Sequence, residues 1–150
     1  MKRVVRVAGE SMSPTYPSSD LLLTRPVGRA GVGARRGDVV VFRHGGLRMI
    51  KRVVGVPGDV VELEAGRLFV NGESVGGRPR VQGANTQTWR VPGTSYFMAG
   101  DNPAVSDDSR VWDEPFFSDA CVDAVVTRRL GAGWRGLRLR RPGAATGRAL

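Results

Sequence analysis

One cysteine, Cys121, and one histidine, His44, stand in a chain of 150 residues. A lone thiol cannot close an internal disulfide, and one thiol with one imidazole cannot furnish a Cys/His zinc site, so no metal is expected. No cofactor is expected either, and Cys121 reads as a small core residue. Lysine is almost as scarce: 21 of the 23 basic residues are arginine, and the lysines are Lys2 and Lys51. No apolar run approaches the roughly 18 residues of a membrane-spanning helix, and the segment before Ser11 is too short for a secretory leader.

Glycine and proline are abundant, at 21 and 9 residues, and the apolar runs between them are short. That pattern predicts one mostly β domain built from successive hairpins, with antiparallel sheets forming a partly closed barrel. Strands are expected at 3–7, 20–24, 38–43, 47–54, 60–64, 67–71, 87–91, 95–99 and 122–130. Turns are expected at 43–46 (RHGG), after 64 (AG) and at Asn71-Gly72. Residues 76–86 read as a loop, and the only helical turn is expected near 113–120 (DEPFFSDA).

The net charge of +9 is unevenly spread: residues 128–150 hold seven arginines and no acid, leaving +2 for residues 1–127. The catalytic or binding domain is therefore assigned to residues 1–130, and 131–150 to a basic, flexible tail. Trp134, Leu137 and Leu139 among the tail arginines would suit an anionic membrane surface. No base-reading element accompanies the tail, which argues against specific nucleic-acid binding.

Lys51 lies within the run LRMIKRVV. Strand periodicity puts Met49, Lys51 and Val53 on one face and Ile50, Arg52 and Val54 on the other, without saying which basic residue turns inward. Chemistry favours Lys51, because an inward arginine needs partners for five donors while a buried lysine can shed its proton and act as a base. Ser11, in GESMSPTYPSSD, sits on a Gly-flanked, Pro-stopped turn that would expose a hydroxyl and leave nearby N–H groups free. A third segment, 98–110 (MAGDNPAVSDDSR), gathers Asp, Asn, Ser and Arg just after a strand. His44, at a Gly-rich hairpin tip, points to solvent and is a poor rival base.

Three motifs in order, Ser-Met-x-Pro-Thr at 11–15, Lys-Arg-Val-x-Gly-x-Pro-Gly-Asp at 51–59 and Gly-Asp-Asn-x-x-x-Ser-x-Asp-Ser-Arg at 100–110, resemble the type I signal peptidases. The third motif separates them from the LexA-type autoproteases, which share the β-rich fold. The resemblance implies a serine endopeptidase with Ser11 as nucleophile and Lys51 as general base, removing a signal or leader peptide after small residues. It implies that Ser106 hydrogen-bonds the Lys51 amine, that Asp108 and Arg110 form a supporting ion pair, and that Asp101 and Asn102 fix the turn after their strand. Met12 and Ile50 would line the pocket for the residue before the cut, with Tyr16 and Met49 near it. Gly9 stands where several members place an oxyanion-stabilising serine. GVPGD at 55–59 is expected to fix the lysine strand.

The family usually carries a transmembrane anchor, and Pro103-Ala104 replace a frequent Arg-Asp. The chain is thus expected to be an unusually short, anchorless monomer acting on a preprotein at a membrane surface. The alternatives are a fragment or alternative start of an anchored enzyme, a soluble cytoplasmic peptidase maturing one protein, as for nickel superoxide dismutase, and an idle binding module using its tail for lipid or nucleic acid.

Overall fold

The computed structural model describes residues 1–27, 33–76 and 86–132. Most of the expected 76–86 loop and the basic tail from 133 onward lie outside them. Eleven strands appear among the described residues: β1 (Arg3–Arg6), β2 (Asp20–Pro26), β3 (Val39–His44), β4 (Leu47–Gly55), β5 (Val60–Glu64), β6 (Arg67–Val70), β7 (Glu73–Ser74), β8 (Gln87–Arg90), β9 (Ser95–Ala99), β10 (Phe116–Ser118) and β11 (Val122–Ala132). Pairing is antiparallel throughout.

Three hairpins are local consequences of sequence. Gly45-Gly46, Ala65-Gly66 and Asn71-Gly72 each place two consecutive residues at positive φ. That backbone follows the twist of the flanking strands, and glycine and asparagine adopt it at least cost. The expected turns therefore form where predicted.

The strands make a seven-stranded sheet, ordered β1-β2-β11-β3-β4-β9-β10, and a four-stranded sheet, ordered β7-β6-β5-β8. The edges β1 and β10 do not pair with each other, so the large sheet stays open. β11 inserts between β2 and β3 and carries two register shifts against β2. Its end at Ala132 lies just past the domain boundary expected at 130. The expected helical turn resolves into strand β10 followed by a 3₁₀ turn at Asp119–Cys121. Phe117 explains the strand: its ring packs edge-on against Phe42, 4.8 Å between centroids, and a strand directs it there.

Between the sheets, Val54, Phe97 and Ala99 pack on Val61, Leu68, Val70 and Val91. Gly55 lies at the crossing. A Cβ there would stand 2.7 Å from Val61 and 3.0 Å from Val91, so only glycine lets the sheets approach this closely.

Candidate active site

Ser11 occupies the loop between β1 and β2. Its ends are tied where Val7 N–H donates to the Asp20 carbonyl and Ser19 N–H donates to that of Val7. Gly9, at φ +78°, makes the left-handed turn that leads into Ser11. Inside the loop, Tyr16 N–H donates to the Met12 carbonyl at 2.8 Å, and Met12 is wholly buried against Val7, Leu22, Val39 and Ile50. An apolar anchor one residue on thus fixes the serine's position.

Lys51 comes from the middle of β4, opposite Val40 of β3. It is the inward member of its pair: its residue exposure is 3%, whereas Arg52 is partly exposed. Its Nζ lies 2.9 Å from Ser11 Oγ. Burial lowers the lysine pKa below its ordinary value, with the Arg110 charge adding to this. Asp108 and Asp107 act in the opposite direction, and burial prevails. Ser11 Oγ is the only hydrogen-bond partner of Nζ among the described residues. An ammonium would bring three donors to that one acceptor, whereas a neutral amine offers a lone pair to the serine proton.

Beside the dyad, the 100–110 segment is tightly satisfied. Asp108 is fully buried. It accepts from Gly100 N at 2.9 Å, Ser106 Oγ at 2.5 Å, Arg110 N at 3.1 Å, and Arg110 Nε and Nη2. Burial alone would raise this carboxyl, but Arg110 and the neighbouring donors hold it below the usual carboxylate range. The expected Asp108–Arg110 pair is therefore present. Ser106 departs from expectation, because its hydroxyl hydrogen goes to Asp108 and no bond joins it to the Lys51 amine. An ionised carboxylate is a stronger acceptor for that hydrogen than a neutral amine.

Asn102 ties this segment to the nucleophile: its N–H donates to the Ser11 carbonyl at 2.8 Å and its Nδ2 to the Glu10 carbonyl at 3.0 Å. Asp101 does something the sequence reading missed, accepting both Nε and Nη2 of Arg52 and so clamping the residue next to Lys51. Two charged neighbours of known motif residues were the available signal. Asp59, closing the 55–59 turn, accepts from Val56 N–H, Asn71 and Arg36, which fixes the end of the lysine strand as expected. Gly100 was also missed as a site residue. A Cβ there would collide with Ser106 and stand 2.6 Å from the Ser11 carbonyl.

A cleft of about 350 Å³ opens at the dyad, lined by Ala8, Ser11 and the five residues Leu47 to Lys51. Met49 and Ile50 are where the pocket expectation put them. Met12 and Tyr16 are not among the residues lining the cleft: Met12 is buried in one cluster with Ile50, and the partly buried Tyr16 packs against that cluster. β9 pairs with β4 only at Arg52, Val53 and Gly55, so along the cleft the Leu47–Lys51 edge facing away from β3 has no strand partner among the described residues. His44 lies tilted against Trp112 and meets Phe117 edge-on, with centroids 4.8 and 5.0 Å apart, and makes no bond to Ser11 among the described residues. Among the described residues no group of three or more His, Cys, Asp or Glu could hold a metal ion.

Residues 2–129 match the signal peptidase family, peptidase S26. The chain belongs to that family. Signal peptidase I of Pseudomonas fluorescens is 34% identical over 159 residues, covering 73% of this chain and 55% of the relative. Signal peptidase IB of Staphylococcus aureus (strain COL) is 34% identical over 128 residues, covering 71% and 66%. The chain thus spans little more than half the length of the first of these relatives. A crystal structure of a signal peptidase I from Enterococcus faecalis V583 superposes with a TM-score of 0.54 and 29% identity, over 64% of this chain and 98% of that one. No helix among the described residues of this family member is long and apolar enough to cross a membrane.

Proposed function

We propose that this protein is a serine endopeptidase that cuts a signal or leader peptide after a small residue, with Ser11 as nucleophile and Lys51 as general base. The 2.9 Å approach of a buried Lys51 Nζ to Ser11 Oγ carries the reading. Neutral Lys51 takes the Ser11 proton as Oγ attacks the peptide carbonyl. The Ser11 N–H, which has no protein acceptor among the described residues, faces the developing oxyanion. Lysine then gives its proton to the leaving amine, and water, deprotonated by the same amine, hydrolyses the ester and frees Ser11. Gly9 has no hydroxyl to lend, so a second oxyanion donor comes from backbone or water.

The free edge of β4 supports a peptide substrate. An extended segment laid along Leu47–Lys51 satisfies that edge by strand addition and brings its scissile bond to the dyad. Ala8, Met49 and Ile50 leave the cleft shallow and apolar, which suits a small side chain before the cut. The test is incubation with a leader peptide ending in Ala-x-Ala, read by mass spectrometry. The expected result is one Ser11-dependent cut after the second alanine. No product, or equal product from Ser11→Ala, overturns the reading.

A further inference from the structure

The cleft at the dyad has a blocked end. It is lined by Leu47 to Lys51, and beyond Lys51 the edge of β4 is already taken, because Arg52 pairs with Ala99 of β9. A substrate strand laid along Leu47–Lys51 with its scissile bond at Ser11 therefore cannot continue along β4 after the cut. Its downstream residues must turn off the edge.

A hollow of about 680 Å³ borders the same nucleophile loop. Ala8 and Ser11 of that loop line the cleft, and Ser13, Pro14 and Thr15 line the hollow. Asn102, also on its wall, donates its N–H to the Ser11 carbonyl at 2.8 Å, so the hollow begins beside the nucleophile. It shares Arg52, Gly76 and Asp101 with a further hollow of about 320 Å³ between the sheets, bordered by Ser74 and Val75. Together they make a groove leading away from Ser11 toward β7.

Groove and cleft differ in chemistry. Leu47, Met49 and Ile50 make the cleft apolar. The groove walls nearest Ser11 carry Ser13, Thr15 and Asn102, and the charges of Arg52 and Asp101 cancel through their bidentate pair. Hydrogen-bonding groups with no net charge suit a polar peptide held by its main chain. We propose that this groove binds the residues that follow the scissile bond, the first residues of the released chain. The proposal rests on the peptidase reading and adds where the leaving amine sits before it departs.

The test runs that departure in reverse. A leader peptide methyl ester ending in Ala-x-Ala acylates Ser11 and releases methanol, which leaves nothing in the groove. An added amine then competes with water. Its nitrogen bonds to the acyl carbon, the bond from that carbon to Ser11 Oγ breaks, and the amine proton passes through Lys51 to Oγ. The ratio of amide to acid product does not depend on how fast the ester reacts, so it reports capture of the amine alone.

Glycinamide and Gly-Ser-Gly-Ser amide, which share one reactive end, are compared. The tetrapeptide should reach half its maximal ratio at an about tenfold lower concentration, the worth of one or two net hydrogen bonds. Gly76→Trp should erase that advantage: a Cβ at Gly76 meets no atom within 4 Å, so the ring enters the groove without displacing the fold. Thr15→Trp, at an exposed position on the loop side, should do the same. Equal half-saturation by the two amines, or an advantage that survives both substitutions, overturns the proposal and leaves Ser11-dependent ester hydrolysis, and so the peptidase reading, standing. No Ser11-dependent hydrolysis of the ester overturns both.

Discussion

Lys51 and Asp108 are both buried charged-type residues at one site, and the protein treats them in opposite ways. Asp108 receives five hydrogen bonds, three of them from Arg110. Among the described residues Lys51 has one partner, Ser11. A carboxylate that must stay ionised and immobile is saturated with donors, so burial cannot neutralise it. An amine that must accept a proton is denied acceptors, so burial can. Placement is rigid in one case and reactivity is preserved in the other, using the same low-dielectric surroundings.

The sharpest way to break this comparison is to remove each residue and read rate and stability separately. Lys51→Met should lower kcat by on the order of 10⁴-fold, while the unfolding midpoint holds or rises because a desolvated amine is gone. Lys51→Arg should be equally inactive, since charge is kept and basicity lost. Asp108→Ala should do the reverse first: stability should fall by about 3–5 kcal/mol, because Arg110 is left buried without its counter-charge. Denaturant titration of both variants decides this, and a Lys51→Met protein less stable than Asp108→Ala would break the contrast.

Gly100→Ala comes next. Its methyl group must displace Ser106 or the Ser11 carbonyl, and a misplacement of that kind should cost about 10²-fold in kcat with little change in KM. The smallest effect is expected for Ser106→Ala. It removes one of the donors to Asp108, for roughly 1 kcal/mol of stability, and should leave the dyad distance intact. If Ser106 instead orients the amine directly, its loss should cut kcat far more than it cuts stability.

The pH dependence carries the same sign at the two residues, stability rising with pH, but in two separate windows. The Asp108 pKa is depressed in the fold, so its contribution is present at neutral pH and disappears as pH falls through a value below about 3.9. The Lys51 pKa is also depressed, but there the neutral form is favoured. Stability should therefore rise with pH between the folded value and about 10.4, and the rise should vanish in Lys51→Met.

Much of this was legible in the chain because it is local. Gly45-Gly46 and Asn71-Gly72 specify their hairpins, alternation placed Lys51 opposite Arg52 in facing, and the Asp108–Arg110 spacing lets both side chains meet. What escaped depends on residues far apart. Phe116–Ser118 reads as a helical turn until Phe42 and Tyr96 are known to stand beside it. The insertion of β11 between β2 and β3 has no local signature. The Arg52–Asp101 clamp, the closeness of Gly100 to the Ser11 carbonyl and the choice of Asp108 over Lys51 by Ser106 emerge only when three segments are packed together.

With two lysines in the whole chain, the central claim is open to direct observation. Lysine labelled with ¹³C at Cε gives two resonances, and Lys51→Met identifies the one belonging to Lys51. That resonance should titrate below the ordinary lysine value of about 10.4, and at the same pH as the limb on which kcat/KM rises. Titration at or above the ordinary value would show a charged amine at working pH, and would contradict Lys51 as the base that activates Ser11.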